Sequence, residues 1–494
     1  MSLRAARVGA VLVVGASTAA LLAFACAPAP HPEEGRRRAP VVLSAETDDE
    51  LAGAELASEV PGQLGVLENE ALQRYVQSLG ARLSPYAPER RFSYTVRVVD
   101  PWPPNAFALP GGYLFVTRGV LALANDEDEL AAVIAHEMAH AALRHHAGLQ
   151  GALPSNPFAL AIVNPAWVAA YQRDQERAAD RVGQGIATSA GYDPTGLDRF
   201  LRGLGQVERH LGAGGRVPSF FDTHPPTVER AAAAADAAGR VARAPPPGVS
   251  EGERRHAEDY VRRLDGLVVG PNPAEGFFED TLFVHPDLDF SIRFPEGWDE
   301  INTPASVGAI SPDGSGRVVL EFAGKGDDPK ASAEAFTAGR ARELEATIDE
   351  VRAFALNGLP AYELRGEASG LHGRLLFVAH RGTVYRISSA ARGPSAQRSL
   401  ARAQIAARSF RPLSVEERAR VTALRLRLAE TRAGETAAEL ARRTGSAWDA
   451  NEIALANALP ASEPLEGGRL VKIARVEPYL AAEPPAPPVE GAPR

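Results

Sequence analysis

Between positions 132 and 146 the chain reads AVIAHEMAHAALRHH, which sets His136 and His140 four residues apart with Glu137 between them. On a helix that spacing puts both imidazoles on one face, one turn apart. Two neutral imidazoles can hold a zinc ion while the adjacent carboxylate points beside the metal. Zinc brings the pKa of water to roughly 7, so a nearby carboxylate can take the proton at neutral pH. Glu137 would then be the general base and would return the proton to a leaving amine. In a chain with eleven histidines, a motif of three fixed residues suggests this chemistry without establishing it.

A third ligand decides the class of site. His146 stands where one class of zinc proteases carries its third histidine. That class also needs a glycine three residues after His140 and a downstream methionine turn. Position 143 is Leu, and the methionines are Met1 and Met138, so this reading fails. The alternative is a carboxylate from a second helix. QRDQERAADRVGQGIATSAGYDP, residues 172–194, places Glu176 and Asp180 on one helical face, with Ala178 and Ala179 small enough for close packing. Two histidines and one glutamate leave a fourth position for water. Asp180 can then orient a ligand imidazole through its other N–H. On spacing alone, a solvated face with pairs to Arg177 and Arg181 stays open.

The elements that must carry these residues are legible around them. Ala131–Ala147 reads as a helix. Asn125 is its expected cap, Asp126 to Glu129 favour its positive end, and Arg144, His145 and His146 close its negative end. Upstream, helical patterning covers Asp48 to Leu83. RFSYTVRVVD alternates like a strand, and PWPPNAFALPGGYLFVTRGVL reads as turn, strand and strand. Helical patterning then dominates from Asp126 to Arg243, and the Pro-rich ARAPPPGVS ends it.

The expected organisation is a mainly α-helical peptidase-type domain with a small β-sheet over residues 48–243, followed by a linker and helix over 244–275. An α+β domain follows over 276–413, with helices near Ala331–Ile348 and Ser395–Ala407, and its element order resembles the PsbP-like sandwiches. Residues 414–475 resemble a LysM module in Gly434-Glu435-Thr436, in Asn457 before a turn and in Gly467-Gly468 before LVKI. That resemblance implies contact with peptidoglycan glycans, and a plain helical hairpin is its alternative. The tail, 476–494, is Pro/Ala-rich and reads as disordered.

Composition bounds the function classes. Of 494 residues, 45% are hydrophobic and 23% charged, and the net charge of −9 with no basic stripe argues against a nucleic-acid partner. The one cysteine, Cys26, excludes a disulfide within the chain and closes an apolar run behind Arg4 and Arg7. This is the pattern of an export signal over residues 1–26, with a tether over 27–47. LLAFAC resembles a bacterial lipoprotein signal, which implies lipidation of Cys26 and a membrane anchor on the periplasmic side. Ala23 and Phe24 depart from that pattern. Cleavage after Ala25 without lipid, or an uncleaved anchor, are the alternatives.

HEMAH, ERAAD, AGYDP and FFDTHPPTVERAA, in that order over residues 50–240, resemble the gluzincin metallopeptidase family that includes HtpX and the CAAX prenyl proteases (family forty-eight), in its soluble periplasmic BepA-like branch. The resemblance implies one Zn²⁺ per chain held by His136, His140 and Glu176, with Glu137 as catalytic acid and base. It implies that Asp180 is the family's aspartate and that His224 lies near the zinc, where it can occupy the open position as a switch. NAFALPGGYLF is similar to the family's strand beside the cleft, so substrate strands are expected to pair beside Tyr113–Thr117. The implied activity is endopeptidase cleavage of unfolded or misassembled envelope polypeptides. The alternative is an envelope chaperone or scaffold with a latent site.

Overall fold

The computed structural model describes residues 46–88, 92–145, 173–211, 224, 228–241, 257–341, 347–368 and 371–479. The chain forms two compact units. Among the described residues, one combines Glu46 to Pro271 with Ala423–Glu477, and the other contains Asn272–Thr422.

The first unit begins with α1 (Glu46–Leu64) and α2 (Glu70–Leu83). Three strands follow, β1 (Thr95–Val99), β2 (Ala106–Leu109) and β3 (Tyr113–Thr117), in the order β1-β3-β2. β3 pairs parallel with β1, Thr95 opposite Tyr113, and antiparallel with β2, Ala106 opposite Val116. Both sides of the Tyr113–Thr117 strand are therefore taken, which corrects the expectation that a substrate strand pairs beside it. The edge on that side belongs to β2. Alternation sorts the faces. Phe115, Leu109 and Val99 meet Leu56, Ala57 and Val60 of α1, whereas Ala106, Ala108, Leu114 and Val116 join the main core.

That core surrounds α4 (Glu127–Ala142), reached through the short α3 (Arg118–Leu123). Every residue of α4 from Glu129 to Ala142 is buried. Its many alanines let neighbours approach from all sides, as a wholly enclosed helix requires. The cap is Asp126, which accepts from the Glu129 backbone N–H at 2.8 Å. Asn125 instead donates its own N–H to Glu129 at 3.0 Å, a correction to the expected cap. The helix also stops earlier than its periodicity suggests, because Arg144 turns the chain with φ of 54°. His146, and with it the end of the expected helix, lies outside the described residues.

α5 (Arg173–Ser189) packs on α4, α6 (Gly196–Leu211) on α4 and α7 (Val228–Val241) on α5 and α6, while Tyr260 of α8 (Ala257–Arg263) meets Tyr75 of α2 and Leu121 of α3. Gly183 permits the contact between α4 and α5. A Cβ there would stand 2.8 Å from Cα of His136.

The second unit opens with β4 (Phe277–Glu279), β5 (Leu282–His285) and β6 (Phe290–Arg293) and is built on a seven-stranded sheet of β7 (Asp299–Thr303), β8 (Ser306–Ile310), β9 (Gly316–Lys325), β10 (Thr347–Leu356), β11 (Leu359–Ala368), β12 (Leu371–His380) and β13 (Thr383–Ala391), in the order β10-β11-β12-β13-β9-β8-β7. Ala403 and Ala406, on the helix Ala396–Arg408, share a core with Val318, Leu320 and Ile387. The helical stretch expected over Ala331–Ile348 runs as an α-helix over Pro329–Phe336 and a π-helix over Thr337–Ala341, and Thr347 already begins β10. The β-branched Thr347, Ile348 and Val351 favour the strand.

The C-terminal segment returns to the first unit. It runs strand, helix, helix, strand: Thr422–Glu430, Ala437–Thr444, Ala450–Asn457 and Leu470–Pro478, the two strands pairing with each other. Val471 and Ile473 pack with Leu440 and Ile453 of the segment's own helices. Leu426 and Ala474 join the core around α4. Between them Lys472 is buried, its Nζ donating to the carbonyls of Ala122, Leu123 and Ala124 at 2.9, 3.3 and 2.9 Å. A cation thus satisfies the chain end of α3, directly before the start of α4.

Burial pushes the Lys472 ammonium down to about 7, against the carboxylates of Glu129 and Asp126 and with Arg469 adding to the effect. An exposed lysine keeps its proton to about 10.4. Between those values the unfolded chain holds the extra proton, so unfolding free energy rises with pH. Urea midpoints at pH 7 and pH 9.5 should therefore diverge more for the wild type than for Lys472→Met. Equal pH dependence of the two proteins would show that this group does not titrate in the window.

Candidate active site

His136 and His140 project from the same face of α4, with their Nε2 atoms 3.0 Å apart. Glu176 comes from the first turns of α5, and its Oε1 lies 3.4 Å from Nε2 of His140. His224, just before α7, brings Nδ1 to 2.9 Å from Glu176 Oε1 and 3.3 Å from His136 Nε2. One donor atom from each of these four buried residues falls within 4.8 Å of all the others.

That donor set fits zinc. With bonds of about 2.0–2.1 Å in a tetrahedron, neighbouring donor atoms stand roughly 3.3–3.4 Å apart. Four separations through Glu176 Oε1 and the imidazole nitrogens are 2.9 to 3.4 Å, at or just below that value, and all lie within 4.8 Å. Three imidazoles and a carboxylate are also the nitrogen and oxygen donors zinc prefers.

Glu137 stands outside the donor group. It is fully buried, and neither carboxylate oxygen has a hydrogen-bond partner among the described residues. Beside it is His224, with Nε2 3.4 Å from Oε1. Burial pushes the Glu137 carboxyl up from its ordinary range, which suits a group that must hold a proton between two steps.

Asp180, one turn after Glu176, is buried rather than solvated. Its Oδ1 lies 3.1 Å from Nδ1 of His136, the nitrogen that faces away from the donor group. Arg177, the solvent-side alternative, pairs with Asp174 instead. The outer partner of His136 is thus a carboxylate that fixes its ring.

The sequence reading did not single out Arg230. It lies in the VERAA stretch on α7 and is 3% exposed. Its Nε and Nη2 donate to the two oxygens of Asp180, each at 2.8 Å, and its Nη1 stands 2.8 Å from Glu176 Oε2. Arg230 also donates to the backbone carbonyl of His224 at 3.3 Å. One guanidinium therefore joins three site residues. An arginine six residues after a candidate ligand was the signal, but nothing local said which carboxylates it would meet. Thr223, Pro225 and Pro226, the expected helix-entry turn, lie outside the described residues.

Without metal, these charges set one another. Burial opposes ionisation of Asp180, but Arg230 and His136 hold it down at about 2. Glu176 is held well below the usual carboxylate range, because His224, His136 and His140 outweigh its burial. For His136, hydrogen bonds to Asp180 and Glu176 overcome burial and push the imidazole up to about 9. Burial wins at His140, whose imidazole falls well below its ordinary value. Glu176 and Asp180 are thus ionised acceptors, while Glu137 resists ionisation.

Residues 67–162 and 151–238 match the model of peptidase family M48. A putative beta-barrel assembly-enhancing protease of Vibrio cholerae is 28% identical over 190 residues, 33% of this chain and 39% of that protein. The mitochondrial metalloendopeptidase OMA1 of Schizosaccharomyces pombe is 29% identical over 171 residues, 32% of this chain and 50% of that protein. The chain thus spans no more than half the length of these relatives. Among solved structures, cyanobacterial PsbP from Synechocystis is similar to 29% of this chain over 99% of its own length, at 11% identity and a TM-score of 0.23. His136, His140, Glu176 and His224 all fall within the family match and converge there on one donor set, so residues 67–238 are similar to peptidase family M48, whose metallopeptidases use zinc.

Proposed function

We propose that this chain is an exported zinc-dependent endopeptidase that hydrolyses unfolded or misassembled proteins of the bacterial cell envelope. The observation that carries the chemistry is the buried set of His136, His140, Glu176 and His224 donor atoms with Glu137 beside it. The envelope setting is supported by the pattern of residues 1–26, with Cys26 as the lipid anchor point, and by relatives named for beta-barrel assembly. Among the described residues no helix is long and apolar enough to cross a membrane. The LysM-like strand-helix-helix-strand segment adds peptidoglycan contact to this reading.

His136, His140 and Glu176 are the residues that would hold the ion. When bound, zinc supplies Lewis-acid chemistry, polarising a peptide carbonyl and making water acidic near neutral pH. Glu137 takes the proton of the attacking water and carries it to the leaving amine, and its buried position keeps that proton from bulk solvent. Asp180 and Arg230 hold the His136 ring and Glu176 in place throughout. An extended substrate adds to the sheet edge at Ala106–Leu109, where main-chain pairing recognises unfolded chain with little sequence preference.

His224 occupies the fourth donor position and lies within 3.4 Å of Glu137, which supports a closed resting state. The same burial favours the rival reading, a chaperone or scaffold with a latent site. One assay separates these readings: hydrolysis of an unfolded polypeptide by the zinc-loaded chain, before and after chelation. Cleavage that chelation abolishes is expected, and no cleavage by either His224 form favours the scaffold. In that assay His224→Ala should raise the rate if His224 is only a latch. If it donates to the developing oxyanion, kcat should fall by about 10²–10³-fold.

A further inference from the structure

The second imidazole of the pair has an outer partner that no motif announces. His145 is buried, and its Nδ1 lies 2.9 Å from Nδ1 of His140, the nitrogen on the far side of that ring from the donor group. The two rings meet edge to face, with centroids 4.9 Å apart and planes at 76°. His136 and His140 are therefore held alike from behind but by different chemistry, a carboxylate on Asp180 for one and a second imidazole for the other.

His145 cannot reach that position by continuing the helix, because five residues along α4 would carry it about 500° around the axis, away from the His140 face. The chain leaves the helix at Leu143, and Arg144 takes a left-handed backbone conformation with φ of 54°. Residues with a side chain adopt that region uncommonly. Here a fully buried carboxylate holds it: Asp49 of α1 accepts from Arg144 Nε at 2.6 Å and Nη2 at 2.9 Å. On the other side, Gln175 of α5 donates to the His145 carbonyl at 3.4 Å. The turn that folds His145 back onto His140 is thus clamped from two helices.

We infer that His145 is a positioning residue for the metal ligand His140, held in place by the Asp49–Arg144 pair. With Nε2 of His140 given to the ion, its Nδ1 carries the hydrogen and donates it to Nδ1 of His145, whose own hydrogen then sits on Nε2. This fixes the tautomer and the ring angle of His140 before metal arrives, so the ion meets a prepared ligand. The inference rests on the zinc reading above, and its test reads the metal directly rather than turnover.

The full-length chain is titrated with zinc in competition with a chromophoric chelator. His145→Leu should bind zinc about 10–100-fold more weakly, the range for lost outer partners. His145→Gln, which keeps an acceptor near the same place, should recover most of that loss, a rescue that a packing role alone would not produce. Arg144→Met, which touches neither His140 nor zinc, should weaken zinc binding in the same direction. In the double variant His145→Leu with Arg144→Met the two losses should not add, because both act through His140. Zinc affinity within threefold of wild type for His145→Leu overturns the inference, as does equal loss in the Leu and Gln variants. A wild-type chain that binds no zinc instead overturns the metal reading on which it rests.

Discussion

Glu137→Gln is expected to keep its zinc and lose hydrolysis by about 10²–10⁴-fold in kcat, the contribution of a positioned general acid–base group. The two halves of that result come from one helix. Glu137 follows His136 by a single residue, which rotates it about 100° around α4 and leaves it out of the donor group formed by His136, His140, Glu176 and His224. It sits 3.4 Å from His224, fully buried, where a carboxyl resists ionisation. Glutamine has the same shape and cannot carry the proton. Glu176→Ala gives the contrasting result: it removes a donor atom, so zinc content measured after gel filtration should fall well below one ion per chain. Turnover within a few-fold of wild type in Glu137→Gln would remove Glu137 from its role. Full zinc retention in Glu176→Ala would require a different third ligand.

Arg230→Leu should destabilise the metal-free protein by about 3–5 kcal/mol, the cost of leaving buried charges without their partner. The guanidinium donates to both oxygens of Asp180 at 2.8 Å and stands 2.8 Å from Oε2 of Glu176, in a place where Arg230 and Glu176 are 3% and 1% exposed. Removing it leaves two buried carboxylates, one turn apart on α5, without their shared cation. Arg230→Lys should recover only part of the loss, because a point ammonium cannot reproduce the fork that meets Asp180 with two parallel bonds. Urea unfolding of the three proteins without metal measures this directly. A loss under about 1 kcal/mol in Arg230→Leu would mean that Asp180 and Glu176 are held by their histidines alone.

How much of the site the sequence carried depended on distance along the chain. His136, Glu137 and His140 were legible because a helix converts a spacing of four into a shared face, and the acidic run before them marked where the helix starts. Glu176 and Asp180 were legible as a pair for the same reason, though their burial was not. The cap fell to Asp126 rather than Asn125 because the two compete within one turn, and only the direction of the entering chain decides between them. His145 was misplaced because periodicity assumes that the helix continues, whereas a buried carboxylate from α1 holds the turn that ends it.

The sequence by itself determined the local chemistry: a helix bearing two imidazoles and a carboxylate, a second helix bearing two more acids, and a histidine before a third. Each follows from residue types within a few turns of one another, where backbone geometry leaves few choices. Tertiary structure alone decided the rest. It put β3 between its neighbours, so that the sheet edge on the β2 side lies at Ala106–Leu109. It brought Arg230 across to Asp180 and Glu176, and Lys472 to the carbonyls of Ala122–Ala124 from the far end of the chain. Such pairings are chosen when whole faces pack and buried charges must find partners. That selection acts on surfaces assembled from distant segments, and no window of sequence contains both sides of the contact.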